Sequence, residues 1–278
     1  MINLNRFVCV EINEYDTIAA GKNNPTRNDL KTIRPRVSVD YNTYNNSFST
    51  IHTRPASAYS DDEKTTLQKA YGDTSAVDKL KTRIINAQID DFKHICPSCL
   101  YHKRQETDHY IPKEKYPEFA VLASNLIPIC STCNKKKSQN WRDAPHTTRT
   151  FIHFYNDIAP NIRFLSASLI INNNIPRLDW SIQNTNNAIN NNLYTIIEYH
   201  FERLDLLNRY SEAANDLLSE LKRTVASDRR RNPNLSTADI SQILMDDAIV
   251  DQNIYGINYW KSIARIVLAN DQQYLNTL

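Results

Sequence analysis

Glycine is scarce in this chain, with only 3 Gly among 278 residues. Glycine-rich phosphate loops need several glycines at fixed spacing, so the sequence excludes a dinucleotide-binding or Walker-type loop. No apolar run reaches the ~20 residues that a membrane-spanning helix requires. The amino terminus also lacks the long apolar segment of a secretory signal. We therefore predict a cytoplasmic protein that is not embedded in a membrane.

Net charge is also small, because 33 Lys and Arg stand against 31 Asp and Glu, which gives +2. A balance this close to zero does not by itself indicate a nucleic-acid partner, so such a partner has to be argued from local clusters of charge. Hydrophobic residues make up 41% of the chain, which is enough for one large domain or two modest ones.

Composition and periodicity divide the chain into four predicted regions: a polar arm, a helical segment, a domain that carries the motifs, and a mainly helical C-terminal domain. These regions span residues 1–60, 61–93, 94–148 and 149–278, respectively. The arm is predicted to be extended, with one short strand at "RFVCVEI". Ser60 is placed to cap the first helix of the second region. The predicted fold class is α+β and mostly α-helical.

The C-terminal region combines strand-like runs with long helical patterns. We predict strands at "TFIHFYND", "RFLSASLIIN" and "RLDWSIQ". One long helix then starts near Leu193 and continues until the chain is broken before Pro233. Ser236 or Thr237 caps the next helix, and a last helix closes the chain.

Four of the five cysteines form two C-x2-C pairs, Cys96 with Cys99 and Cys130 with Cys133. A turn of this spacing presents two thiolates to one tetrahedral ion, and two such turns complete a four-cysteine zinc site. Four unrelated buried thiols are the alternative, but two pairs within one short window favour zinc. Four protein ligands leave no open coordination position, so this zinc is predicted to be structural.

A second group of polar residues lies between and just after the cysteine pairs. Asp108 and His109 are adjacent, so on a strand they would point to opposite faces. Carboxylate and amide oxygens, such as those of Asp108 and Asn134, suit Mg2+, and an imidazole with a pKa near neutrality suits a general base. The three lysines at 135–137 offer positive charge to a phosphate chain. Together these residues predict a site for metal-dependent phosphodiester hydrolysis.

The stretches "CPSC", "DHYIP" and "NLIPICSTCNKKK" resemble the HNH endonuclease family, over about residues 94–142. The resemblance implies a ββα-metal core clamped by zinc, in which a hairpin carries Asp108 and His109 and a helix starts near Asn134. It further implies that His109 is the general base and that Asp108 and Asn134 bind one catalytic Mg2+ or Mn2+. Asn125 would be the central Asn that holds the base-bearing loop. Asn134 stands where many members have His, so the chain resembles an HNN variant.

The expected function is an endonuclease acting on DNA, most simply double-stranded DNA. Predicted contacts to the nucleic acid come from four lysines: Lys113, Lys135, Lys136 and Lys137. The sequence after the motif is similar to bacterial HNH proteins that work beside an ATPase in antiphage defence, including Septu-like systems. Two alternatives remain open: a restriction-type endonuclease with its own sequence recognition, and a non-catalytic, zinc-stabilised nucleic-acid-binding module.

Overall fold

The structure is a computed structural model that describes residues 2–72, 74–173 and 175–278. It divides into two compact units, one of residues Asn3–Ile158 and one of Ala159–Leu278 together with Ile2. Helices dominate, and the described part of each unit contains one two-stranded antiparallel sheet. The predicted α+β, mainly helical class is therefore confirmed. The four domain boundaries drawn from composition stay a prediction.

The N-terminal unit begins with four helices, of which the first two replace the predicted extended arm and the last two confirm the predicted helical segment. They are α1 Glu11–Ala20, α2 Thr26–Asn46, α3 Asp61–Ala70 and α4 Ser75–Asn86. The predicted strand at "RFVCVEI" is wrong, because residues 7–10 have no regular structure and α1 starts at Glu11. Ser60 caps α3 as predicted, since its hydroxyl accepts a hydrogen bond from the Glu63 amide and the Glu63 carboxylate accepts one from the Ser60 amide.

The motif region of this unit folds as a ββα element. Its parts are β1 Glu106–His109, β2 Leu126–Ile129 and α5 Ser131–Lys137. The strands pair antiparallel, with Asp108 opposite Ile127 and His109 opposite Leu126. Two 3-10 turns, Pro117–Phe119 and Ala123–Asn125, lie in the connection between the strands. The implied hairpin and helix are thus present, and α5 begins at Ser131, one turn earlier than expected.

The C-terminal unit contains a β-hairpin packed against helices. Its elements are β3 Leu165–Asn172, β4 Ile175–Ile182, α6 Asn191–Leu204, α7 Leu206–Arg231, α8 Thr237–Tyr255, α9 Trp260–Ala269 and α10 Gln272–Leu275. Strand β4 packs on α7, and β3 packs on α9. The strands predicted at "RFLSASLIIN" and "RLDWSIQ" are confirmed as β3 and β4, and Ser236 caps α8. The strand predicted at "TFIHFYND" is wrong, because residues 150–157 form bends and one turn at 154–156.

The predicted long helix from Leu193 is two helices, α6 and α7. Asp205 separates them with a left-handed backbone at φ 54° and ψ 43°. Throughout the described residues, no helix combines the length and the apolar character needed to cross a membrane.

Candidate active site and zinc centre

The two C-x2-C pairs meet at one point of the N-terminal unit. All four thiols are buried, and their sulfur atoms lie within 4.8 Å of one another. A tetrahedral zinc with Zn–S bonds of about 2.3 Å requires S···S separations of about 3.8 Å. The 4.0 Å between the Sγ atoms of Cys99 and Cys130 fits that geometry closely. The cluster is therefore a potential metal site with the composition of a structural zinc centre.

Local backbone structure explains how each pair is presented. The first pair lies in a tight turn between Ile95 and Lys103, where the Cys96 amide donates to the His102 carbonyl at 2.9 Å. The second pair spans the start of α5, where Cys130 is the N-cap residue and its Sγ accepts from the Cys133 amide at 3.4 Å. The four-thiol cluster thus lies at the first turn of the helix that carries Asn134.

A cavity of about 410 Å³ opens beside the β1 strand. Its lining includes three of the predicted active-site residues, Asp108, His109 and Asn134, and one predicted DNA contact, Lys113. Asp108 and His109 were expected to face opposite ways, yet both reach this cavity. Asn125 is not part of the lining, because its side chain is fully buried. The structure therefore brings together the three side chains to which reaction chemistry was assigned.

His109 is held in one orientation by its environment. Its Nε2 lies 2.8 Å from the Ala120 carbonyl oxygen, which can only accept a hydrogen bond. Nε2 therefore carries the proton, and Nδ1 keeps a lone pair that can accept one. Burial lowers the pKa of His109 to about 4, well below the near-neutral value that we expected from the sequence. At neutral pH the imidazole is uncharged and able to accept a proton.

Asp108 forms a buried ion pair with Lys137. The Lys137 Nζ lies 2.9 Å from one carboxylate oxygen and 3.2 Å from the other, and it also donates to the His109 carbonyl at 3.0 Å. Burial raises the pKa of Asp108 above its ordinary value, and the Lys137 ammonium opposes that rise. Lys137 is only 3% exposed, so the structure differs from the prediction that it contacts a phosphate chain.

Asn134 and Asn125 have contrasting surroundings. Asn134 is partly exposed at the cavity, and its amide nitrogen donates to the Glu106 carboxylate at 2.6 Å. Glu106 therefore orients the amide and leaves its oxygen available to a ligand. Asn125 instead donates to the carbonyls of Ile111 and Phe119 and accepts from the Ile111 amide, at 2.8–3.1 Å. These bonds tie together both ends of the loop that contains Ala120.

Comparison with known proteins agrees with this geometry. Residues 96–140 match the family model for HNH endonuclease. The chain contains an HNH endonuclease domain. Protein ea31 of Escherichia phage lambda is 27% identical to the chain over 190 residues, which is 64% of this chain and 62% of that protein. The aligned part thus spans less than two thirds of the phage protein. No solved structure matches the chain.

Lysines at the edge of the HNH domain differ in their accessibility. Lys135 and Lys136 are exposed on α5, as the predicted phosphate contacts require. Lys113 lines the cavity and forms an ion pair of 2.5 Å with Glu114. Three of the four lysines predicted to contact nucleic acid are therefore positioned beside the cavity or on the helix next to it.

Several residues that support the HNH domain were missed by sequence reasoning. Tyr44 on α2 donates to the Asn125 amide oxygen at 3.2 Å. Glu118, fully buried just before Ala120, accepts from Arg54 at 3.1 Å and from Ser57 at 2.8 Å. Glu106 could have been found from the sequence, because it lies two residues before Asp108 on the strand, and residues two apart share a face. The other supports come from distant parts of the chain and carry no local pattern.

Proposed function

We propose that the chain is a metal-dependent endonuclease that hydrolyses phosphodiester bonds of double-stranded DNA. The observation that carries the proposal is the cavity, where an imidazole of fixed tautomer lies with the Asp108 carboxylate and the Asn134 amide. A base, oxygen ligands for a divalent ion and nearby cationic side chains are the parts that metal-assisted phosphodiester hydrolysis uses. The HNH domain of residues 96–140 supports the same chemistry.

His109 would act as the general base. Its Nδ1 lone pair would take the proton from the attacking water while Nε2–H stays bonded to the Ala120 carbonyl. A pKa of about 4 keeps the imidazole unprotonated at neutral pH, although it also makes it a weaker base. General-base catalysis typically contributes a factor of ~10²–10⁴. Asn125 would position this residue indirectly, by fixing the loop that carries Ala120.

Asp108 and Asn134 would hold one Mg2+ or Mn2+ ion. Their donor set fits, because Mg2+ takes one or two protein oxygens and fills its remaining positions with water and phosphate. When bound, such an ion supplies Lewis-acid stabilisation of the charge on the phosphate and the leaving oxygen. Cys96, Cys99, Cys130 and Cys133 would hold a separate structural Zn2+. Lys113, Lys135 and Lys136 would contact the DNA backbone.

The test is cleavage of plasmid DNA by the purified protein with Mg2+, Mn2+ or EDTA. We expect His109→Ala to lower the cleavage rate at least ~100-fold, because the general base is lost. His94→Ala is the matched control, since His94 is an exposed histidine outside the cavity, and it should cut like the wild type. Equal cleavage by His109→Ala and the wild type would show that the base is misassigned.

A non-catalytic, zinc-stabilised DNA-binding module is the second candidate. It is favoured by the Lys137 ammonium, because this group already contacts both oxygens of the Asp108 carboxylate, to which the nuclease proposal assigns the metal ion. Binding of DNA without cleavage in any divalent metal would support this candidate over the nuclease. A restriction-type endonuclease would also cut, but it would give discrete plasmid fragments in place of a smear.

A role in antiphage defence, with an ATPase partner that docks on the C-terminal unit, is the finer biological proposal. Its support is the similarity of residues after the motif to HNH proteins that act beside ATPases. The enzyme would then work in the cytoplasm, where incoming DNA is met. Co-purification of an ATPase from the native host is the expected result, and a chain that is isolated alone and degrades any DNA would contradict it.

A further inference from the structure

The active-site cavity has a wall that comes from outside the HNH domain. Tyr71, which follows α3, lines the cavity, and its ring meets the His109 ring edge-on with 4.3 Å between centroids. The family match covers residues 96–140, so Tyr71 lies outside it, in the helical part of the chain that precedes the HNH domain. The catalytic imidazole is thus enclosed by an element that no motif of the HNH domain supplies.

Two lysines are attached to this wall. The Lys81 Nζ on α4 lies 4.8 Å from the centroid of the Tyr71 ring, within the range of a cation–π contact. The Lys22 Nζ, just after α1, donates to the carbonyl oxygen of Gly72 at 3.3 Å. Tyr71, Gly72, Lys22 and Lys81 are called the Tyr71 wall below. It holds two ammonium groups, one on α4 beside the Tyr71 ring and one just after α1 at the Gly72 carbonyl.

The wall is connected to the side of the cavity formed by Lys113. Gln68 of α3 donates from its amide nitrogen to the Lys113 carbonyl at 3.4 Å. Lys113 belongs to the loop after β1 and itself lines the cavity. Positive charge is therefore present both on the HNH loop and on the wall, so that an extended polyanion could be held at more than one of its phosphates.

The acids beside Lys81 and Lys113 do not remove the charge of these two lysines. Lys81 lies 3.7 Å from Asp78 one turn earlier, and Lys113 pairs with Glu114 at 2.5 Å. Exposed ion pairs of this kind contribute little, at most about 1 kcal/mol, so a phosphate can compete for the ammonium.

We propose that the Tyr71 wall is a second nucleic-acid-binding surface, on which Lys22 and Lys81 bind backbone phosphates flanking the scissile one. The inference rests on the proposed function, since it assigns the wall to the same substrate. Tyr71 acts as the platform that fixes Lys81 and closes the cavity over His109. The HNH domain alone would therefore hold its DNA less tightly than the complete N-terminal unit does.

The experiment measures binding of a fluorescent DNA duplex to His109→Ala protein over a range of salt concentrations. Each phosphate contact contributes about 0.9 to the slope of log K against log salt concentration. Lys22→Gln and Lys81→Gln should each reduce the slope by about that amount, and the double variant by about twice as much. In the catalytically active background, the same variants should raise KM and leave kcat nearly unchanged.

Lys64→Gln is the matched control. Lys64 lies on α3 and has an i,i+3 ion pair with Asp61, as Lys81 has with Asp78. It is about 10 Å along the helix from Tyr71, so its removal should leave the slope unchanged. If both wall variants keep the parent slope while the parent binds DNA, the inference is overturned and the proposed function stands. Failure of the parent to bind any duplex overturns both.

Discussion

Three consecutive lysines on α5 have two different environments. Lys135 and Lys136 are exposed, whereas Lys137 is buried against Asp108 and the His109 carbonyl. Successive residues of a helix are rotated by about 100°, so three in a row spread over about 200° of its surface, and here the third one faces β1. The sequence indicated a basic cluster, but the inward-facing member could not be identified without the packing of α5 on β1.

Replacing Lys137 should be strongly destabilising. Lys137→Met keeps the length of the side chain but leaves the buried Asp108 carboxylate without a counter-ion. Removing one partner of a buried ion pair typically costs about 3–5 kcal/mol. Urea unfolding monitored by circular dichroism would measure this loss in the free energy of unfolding.

The double variant Lys137→Met, Asp108→Asn provides the control for that experiment. It should recover much of the lost stability, because no unpaired charge remains buried. Lys135→Met, on the exposed face, should change stability by at most about 0.5 kcal/mol. A loss for Lys137→Met as small as that of Lys135→Met would mean that the ion pair does not contribute to folding.

His153 is expected to make the protein sensitive to acid. It is fully buried, its Nε2 lies 3.0 Å from the Ser124 carbonyl, and its Nδ1 has no hydrogen-bond partner among the residues that the structure describes. Burial lowers the pKa of His153 from 6.5 to about 3. Between those two values the unfolded chain binds a proton that the folded chain does not, so stability falls as pH decreases.

The expected loss from His153 between pH 7 and pH 5 is about 2 kcal/mol. The measurement compares unfolding free energies of the wild type and His153→Gln at both pH values. The variant starts from a lower stability but should lose about 2 kcal/mol less on acidification. Identical pH dependence in the two proteins would show that His153 takes up no proton on unfolding in this range.

Among single residues, the sequence predicted the site residues that lie close together along the chain. The cysteine pairs, His109 and Asn134 all lie in one stretch, and their residue types and spacing there are what predicted their roles. Tyr71 and Tyr44 meet the same site from elsewhere in the chain. Their contacts depend on how helices pack, and an aromatic residue in a helical pattern is ordinarily a core residue.

The helices before the motif show the same difference between what a local sequence pattern predicts and what the structure contains. Apolar residues in α2 recur every three or four positions, at Leu30, Ile33, Val37, Tyr41 and Tyr44, and all five are buried. That spacing is typical of an amphipathic helix. Frequent Asn and Thr, together with Pro35 inside the helix, concealed the pattern and led to the wrong prediction of an arm.

The junction between α6 and α7 depends on the conformation of Asp205. An apolar stripe runs through both helices, so periodicity predicted one element, but Asp205 has the left-handed conformation. Its carboxylate accepts a hydrogen bond from the Asn208 amide at 2.7 Å. Asp and Asn tolerate this conformation better than β-branched residues do.

We expect Asp205→Val to lower the free energy of unfolding by about 1–2 kcal/mol, because a β-branched residue is strained at positive φ. Asp205→Gly should be close to neutral in comparison. Thermal unfolding of the purified variants measures both effects. Asp216→Val, at an exposed position inside α7, controls for the lower helix propensity of valine. Equal losses at 205 and 216 would contradict a role for the backbone conformation.

At the scale of the whole molecule, zinc should stabilise only one of the two compact units. The four cysteines all belong to Asn3–Ile158. Structural zinc sites contribute apparent binding energies of about 10–16 kcal/mol, as large as the entire stability of a typical domain. Losing the ion should therefore unfold the unit that contains it.

Cys96→Ser tests this expectation by hydrogen exchange followed by mass spectrometry. We expect fast exchange across β1, β2 and α5, and slow exchange retained in α7 and α9 of the other unit. Cys9→Ser is the control, because Cys9 is not part of the thiol cluster. Protection of the ββα element in Cys96→Ser equal to that in the wild type would show that the cluster is not needed for folding.

The position of Cys133, directly before Asn134, also has a chemical consequence for handling the protein. Thiolates that hold zinc are open to oxidation, and the sulfenic acids or disulfides that form no longer bind the ion. Because α5 starts at these thiols, peroxide would displace Asn134 together with the zinc. Exposure to oxidants would thus abolish the proposed hydrolysis, although that reaction involves no electron transfer, and a reductant would restore it only while the oxidation is still reversible.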